Sequence, residues 1–419
     1  MNSRERIYCA LQHKEPDKLP VDLGSSPTTG IHVSNVYKLR QWYGLDKPGT
    51  PVKVIEPFQM LGEIGDDLKE IIGVDISNLE GKGTFFGYSK ENWKEWTFWD
   101  STPVLVPELF NTDLNPDGSM FQYAEGDKNY PPSAKMPKKG YFFDSIIRQK
   151  PLNDDDLNPH DNTEEFKVLT ESDIKYLKNE VDKIYYNTDY AIFGVVAFSG
   201  FGDIAFVPGP TLPNPKGIRD IEEWYISTLT RKEYIKKVFQ IQCEIAIENY
   251  KKVFNSIGNK INVVYISGTD FGTQDRLFSS IDVYKKLFKP FHLKVNNWIH
   301  ENTNWKCFIH SCGAIFDLIP ELIEAGFDVI NPVQISARGM DPKKLKITYG
   351  KYVTFWGGGV NTQKILPFGS PSDVKKEVQE LIEIFNKDGG FVFSPVHNIQ
   401  GNVPIENIIA MLETVKKYR

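Results

Sequence analysis

Cys307-Phe308-Ile309-His310-Ser311-Cys312-Gly313 begins as an apolar run and ends in an imidazole, a thiol and a glycine. A short continuous apolar run of this kind reads as a strand buried on both faces, the type found in parallel sheets. His310 and Cys312 share a parity, so an extended backbone turns both to one face, while Cys307 falls on the other and reads as core. A second stretch, Ser394-Pro395-Val396-His397-Asn398-Ile399, places another imidazole where a later apolar run, Gly390–Ser394, gives out. In parallel α/β proteins ligands and chemistry collect beyond the C-terminal ends of strands. Two imidazoles and a thiolate in that location make three-quarters of a zinc site with an open position.

Working outward, the same texture recurs. Further apolar runs lie at Leu19–Gly24, near Asp75–Glu80, and at Tyr190–Ala197, Ile261–Ser267, Val329–Pro332 and Val353–Trp356. Segments with helical period fall between them, among them 231–254, 280–302, 314–325 and 372–387. With Trp305–His310 and Gly390–Ser394 the runs number eight, and eight parallel strands alternating with helices close a (β/α)8 barrel. A helix capped by Ser3 is expected over 3–13, and another over 34–43. From about 82 to 145 the texture changes: Trp93, Trp96, Phe98 and Trp99 crowd together, and turn signals such as Asn115-Pro116-Asp117-Gly118 appear. This region reads as β-hairpins inserted into the N-terminal half of one barrel domain spanning 1–419, followed by a polar crossover over 146–165.

Of the 419 residues 40% are hydrophobic and 25% charged, with net charge -6, values ordinary for a globular enzyme. There is no basic stripe to bind nucleic acid and no apolar run of membrane-spanning length. The start, Met1-Asn2-Ser3-Arg4-Glu5-Arg6, lacks the apolar core of a signal peptide. Four cysteines, Cys9, Cys243, Cys307 and Cys312, are too few for a disulfide scaffold. Together these point to a cytoplasmic location.

If the chain is a barrel, its site is built from residues just past each strand. Thr28 and His32 follow the first strand; Ser199, Phe201 and Gly202 follow Tyr190–Ala197. Ile261–Ser267 leads into Gly268-Thr269-Asp270-Phe271-Gly272-Thr273-Gln274, and the later strands add Asn331, Gln334 and Asn361. Thr28, His32, Gln274, Asn331, Gln334 and Asn361 are expected to bind substrate by hydrogen bonding. Asp270 reads as a fourth metal ligand, as a partner orienting His310, or as a general base. Arg276 and Arg338 are the nearest cations, so a multiply anionic substrate is not indicated.

These residues resemble the uroporphyrinogen decarboxylase superfamily, specifically its zinc-dependent, corrinoid-linked methyltransferase branch. The likeness runs from Arg4-x-Arg6 through Ala10-Leu11-x-His13-x-x-Pro16-Asp17-x-x-Pro20-Val21 to His310-Ser311-Cys312-Gly313 and Asp328–Pro332. It continues through Gly357–Val360, Gly389-Gly390-Phe391, His397-Asn398-Ile399 and Pro404-x-Glu406-Asn407. The resemblance implies a (β/α)8 barrel, normally a homodimer, that moves a methyl group between a small O-, N- or S-methyl compound and a corrinoid carried by a partner protein. It implies zinc on His310 and Cys312, with His397 where the branch has a second cysteine and Asp270 as fourth partner. It also leaves two alternatives. One is a decarboxylase acting on a tetrapyrrole through Asp270 and His397; the other is a non-catalytic tetrapyrrole or corrinoid carrier. Decarboxylases of the superfamily carry an arginine-bearing segment after the first strand for the substrate carboxylates; here that stretch is Ser25-Ser26-Pro27-Thr28-Thr29-Gly30.

Overall fold

The computed structural model describes residues 1–419. Seven strands form one parallel sheet in sequential order: β1 Ile76–Glu80, β2 Ala191–Val195, β3 Val263–Ser267, β4 Lys306–His310, β5 Val329–Asn331, β6 Thr354–Trp356 and β7 Phe391–Val392. The expected eighth strand, Leu19–Gly24, is extended but makes only one bridge, Val21 to Phe393. It nevertheless closes the ring. On one side Phe393 donates to the Pro20 carbonyl and Asp22 donates to the Phe393 carbonyl; on the other Asp75 donates to the Val21 carbonyl. A regular ladder fails here for two reasons. Pro20 has no N–H to give, and the Val21 amide is taken by the Asp75 carboxylate at 2.9 Å instead of a backbone carbonyl. The same buried carboxylate holds Arg6 at 2.6 Å and Arg419 at 2.5 Å, clasping the two ends of the chain to the barrel seam.

Alternation along the strands sorts the core into two parts. Inward residues Phe193, Tyr265, Phe308 and Trp356 pack with Ile7, Ala10 and Leu11 of helix α1 (Ser3–Leu11), which plugs the N-terminal end of the barrel. Its cap is Asn2, not Ser3: Asn2 and Glu5 form a reciprocal capping box. Outward residues, Cys307 and Ile309 among them, pack beneath the surrounding helices in a larger cluster. His310 shares the inward parity of Phe308, so its ring enters the barrel mouth.

The N-terminal half carries the expected hairpins. Six short strands lie between Lys94 and Ser145. The first two, Lys94–Thr97 and Pro103–Val106, join Val52–Glu56 and Leu61–Gly62 in a four-stranded sheet; the other four form an antiparallel meander. The expected 280–302 helix is interrupted by a π turn over Tyr284–Phe288 before Pro290. No helix is long and apolar enough to cross a membrane.

A candidate metal centre in the barrel mouth

β4 ends at His310, and the loop beyond it turns Cys312 back toward the same space. That turn depends on backbone contact between two loops. Gly313, at φ +96°, lies so close to Gly272 that a Cβ on it would sit 2.3 Å from the Gly272 carbonyl group. Any side chain there would push the β3 and β4 loops apart. Held together, the loops place the Asp270 carboxylate 2.7 Å from the Cys312 amide, which donates to it. Gln334 accepts from the next amide, Gly313, at 2.7 Å. His397 arrives on the loop after β7, which is tied down through Asn398: its side chain accepts from Gly30 and donates to Pro27 and Gln59.

The result is a set of donor atoms from His310, Cys312 and His397 that all lie within 4.8 Å of one another. The Cys312 sulfur is 3.4 Å from His310 Nε2. Two ligands of one tetrahedral zinc ion, bonded at roughly 2.1 and 2.3 Å, stand about 3.6 Å apart. The two imidazole rings meet edge to face, centroids 5.3 Å apart.

Protonation states follow from the neighbours. The Asn331 amide nitrogen donates to the Trp356 carbonyl at 2.8 Å, which leaves its oxygen facing His310 Nδ1 at 2.6 Å. An oxygen only accepts, so the proton sits on Nδ1 and the Nε2 lone pair points into the cluster. Burial holds His310 and His397 at about 4, so both rings are neutral at physiological pH, the form in which imidazole binds metal. Burial, and then the neighbouring Asp270 charge, push the Cys312 thiol well up, a state that a divalent cation would reverse. Burial likewise raises Asp270, which lies 4.0 Å from His310 Nε2. The donor set, its spacing and the absence of any competing cation fit zinc.

The cluster opens into a cavity of about 540 Å³, within the range of small-molecule sites. Of the six expected substrate-binding residues only Thr28 lines it. Asn331 is buried beneath His310 and positions that ring, with Thr28 donating to the same oxygen at 3.3 Å. Gln334 braces the Cys312 loop. His32 is fully buried and caps the helix Val33–Trp42 by accepting from Ser34, its other nitrogen meeting the Tyr141 carbonyl. Gln274 is exposed and bonds Gln363, and Asn361 caps the turn at Gln363 and Lys364. His32, Gln274 and Asn361 thus lie off the cavity lining, engaged with other parts of the chain.

The cavity wall includes residues that sequence reasoning missed. Asp203 stands one residue beyond the strand-end group Ser199–Gly202, and burial pushes its carboxyl up to about 8. Glu56 comes from the first hairpin sheet and is raised by burial to about 7, although it accepts from Phe58 and Gln59 amides. Aromatic rings from Phe58, Phe85, Phe198, Phe206 and Tyr265 complete that side.

Residues 214–418 match the family described as uroporphyrinogen decarboxylase (URO-D). The C-terminal part of the chain is thus similar to uroporphyrinogen decarboxylases. All four of Asp270, His310, Cys312 and His397 fall inside the matched half, whereas the hairpin sheets and Asp203 fall outside it. A solved structure described as a methyltransferase from Methanosarcina mazei has a similar fold, with TM-score 0.54 over 100% of this chain and 99% of its own, at 17% identity. No curated protein sequence matches.

Proposed function

We propose that this protein is a zinc-dependent methyltransferase of the uroporphyrinogen decarboxylase superfamily, moving a methyl group between a small methylated compound and the corrinoid of a partner protein. The observation that carries the reading is the convergence of His310, Cys312 and His397, two of them lining an open cavity, with neutral imidazoles and no competing cation. Bound there, zinc supplies Lewis acidity at the heteroatom that carries the methyl group. The chain's own residues prepare that position. Asn331 fixes the His310 tautomer, and Asp270 and Gln334 hold the backbone that presents Cys312. The aromatic wall excludes water from the reacting end of the substrate. The fold resemblance to a methyltransferase agrees with this assignment, and a homodimer is the expected assembly.

The decarboxylase alternative needs a lining that pairs with many substrate carboxylates. The cavity offers five carboxyl groups of its own, from Glu56, Glu80, Asp144, Asp203 and Asp270, and no arginine. A polycarboxylate would find no guanidinium there to pair with. The test is metal content of protein purified without chelator, beside Cys312→Ser. About one zinc per chain, lost in the variant, together with methyl transfer to cob(I)alamin followed by its visible spectrum, is the expected result. Protein that takes up no zinc on reconstitution would remove the methyltransferase assignment.

A further inference from the structure

The lining of the cavity is lopsided in a way that the transfer chemistry does not require. One side is a continuous row of rings. Phe58 and Phe85 lie 4.7 Å apart by centroids, Phe85 and Phe206 4.7 Å, Phe206 and Phe198 4.8 Å, and Phe198 and Tyr265 5.9 Å. The charges around that row are almost all of one sign. Against five carboxyl groups stands a single cation, Lys90, and it is already paired with Glu80. Asp203, only 8% exposed, uses one oxygen to accept from Ala205 at 2.9 Å; the other has no hydrogen-bond partner and, with the Tyr265 hydroxyl, flanks the side-chain-free Gly268 at the cavity wall.

We propose that the cavity recognises a substrate bearing a methylated ammonium cation, seated against the Phe58–Phe85–Phe206–Phe198 row with Asp203 and Glu56 beside it. Aromatic faces carry negative quadrupole potential and attract ammonium groups, most strongly where water is excluded. A methylated ammonium also fits the apolar character of the row, because its charge is spread over methyl surface that needs no hydrogen bond. An anionic ligand would find no unpaired lysine or arginine in this part of the lining, Lys90 being held by Glu80. A neutral arene would stack on the rings but leave the unpartnered Asp203 oxygen buried without a donor or counter-charge. The elevated carboxyls of Asp203 and Glu56 are the mark of acid groups buried without a cation, and a bound ammonium would supply it.

A quaternary ammonium nitrogen has no lone pair to give zinc, so the cation here is the group by which the substrate is recognised. The inference deepens the methyl-transfer reading of the same site and rests on it for the reaction at another heteroatom, so the test separates the two. Binding of choline is measured by titration calorimetry against its uncharged isostere, in which a tert-butyl group replaces trimethylammonium, and against methoxybenzoate, with zinc content determined on the same samples. Choline is expected to bind on the order of tenfold more tightly than the isostere. Asp203→Asn and Phe206→Leu, both close in shape to the native side chains, are each expected to remove most of that preference while leaving isostere binding in place. Equal binding of choline and isostere, or tighter binding of methoxybenzoate, in protein that holds one zinc per chain would overturn the ammonium proposal and leave the methyltransferase assignment standing. A clear choline preference in protein that takes up no zinc would do the reverse.

Discussion

Strand β4 carries two clusters of the same residue types, one near each end, and only one of them resembles a working site. At the mouth are His310, Cys312 and His397; on the outer, N-terminal side are His300, Cys307 and Asp328, with donor atoms equally close. The outer cluster is already satisfied. Asp328 accepts from His300 at 2.7 Å, from the Cys307 amide at 2.8 Å and from Lys306 at 3.0 Å. A cation is thus built in, and the Cys307 thiol is fully buried in the core. At the mouth no side chain of positive charge approaches, the His397 ring makes no hydrogen bond, and His310 is anchored through Nδ1 while its Nε2 meets only the Cys312 sulfur. Ligand-type residues gathered together do not define a metal site. Donor atoms that meet only one another do.

The most direct way to break this contrast is to remove one sulfur at a time. Cys312→Ser is expected to lose zinc and to lower methyl transfer by roughly a thousandfold, the several kcal/mol that a Lewis acid contributes. Cys307→Ser should keep about one zinc per chain and remain within about twofold in activity, since that thiol only packs. Loss of zinc in both variants would mean the outer cluster also binds it, and the contrast fails. A finer probe is Asn331→Ala, which leaves every ligand in place but frees the His310 tautomer. Removing such an orienting partner weakens metal affinity by roughly 10–100-fold, measurable by competition with a chelating dye. Unchanged affinity would show that Asn331 serves only the Trp356 carbonyl.

The same contrast explains what could be read from the chain alone. The alternation that turns His310 inward and Cys307 outward is local, so both fates were legible from parity. The barrel count was legible because each buried parallel strand is a separate apolar run; even the irregular first strand was found, as an extended segment whose partners are mostly the Phe393 backbone and the Asp75 side chain. The opposite wall of the cavity was not legible. Glu56 and Phe58 belong to a strand and turn whose partner, Pro103–Val106, lies far along the chain, and such non-local pairing leaves no local pattern. Asp203 follows a strand end within a tight run of turns, where an acidic residue ordinarily serves the backbone. Two of the polar residues expected to meet substrate lie off the cavity for that reason: Asn361 and His32 cap turns and helices, the commonest use of such side chains at strand ends.

The outer cluster makes its own prediction, smaller and in stability instead of activity. Burial alone would raise the Asp328 carboxyl, but its hydrogen bond from His300 and the Lys306 charge outweigh that and hold it below the usual carboxylate range. A carboxylate depressed in the folded state contributes stability above its unfolded pKa, and that contribution is lost as pH falls through the folded value. Asp328→Asn should therefore cost about 2 kcal/mol at neutral pH, the scale of one broken, partly buried charge network. The penalty should shrink in acid, where the native carboxyl is itself protonated. Urea unfolding of both proteins at neutral pH and at the lowest pH where the native fold persists measures this difference. Zinc content should stay the same throughout the neutral comparison, because Asp328 serves the strand and not the mouth. A variant that lost zinc but kept its stability would exchange the roles of the two clusters, and the assignment of the site would move to the other end of β4.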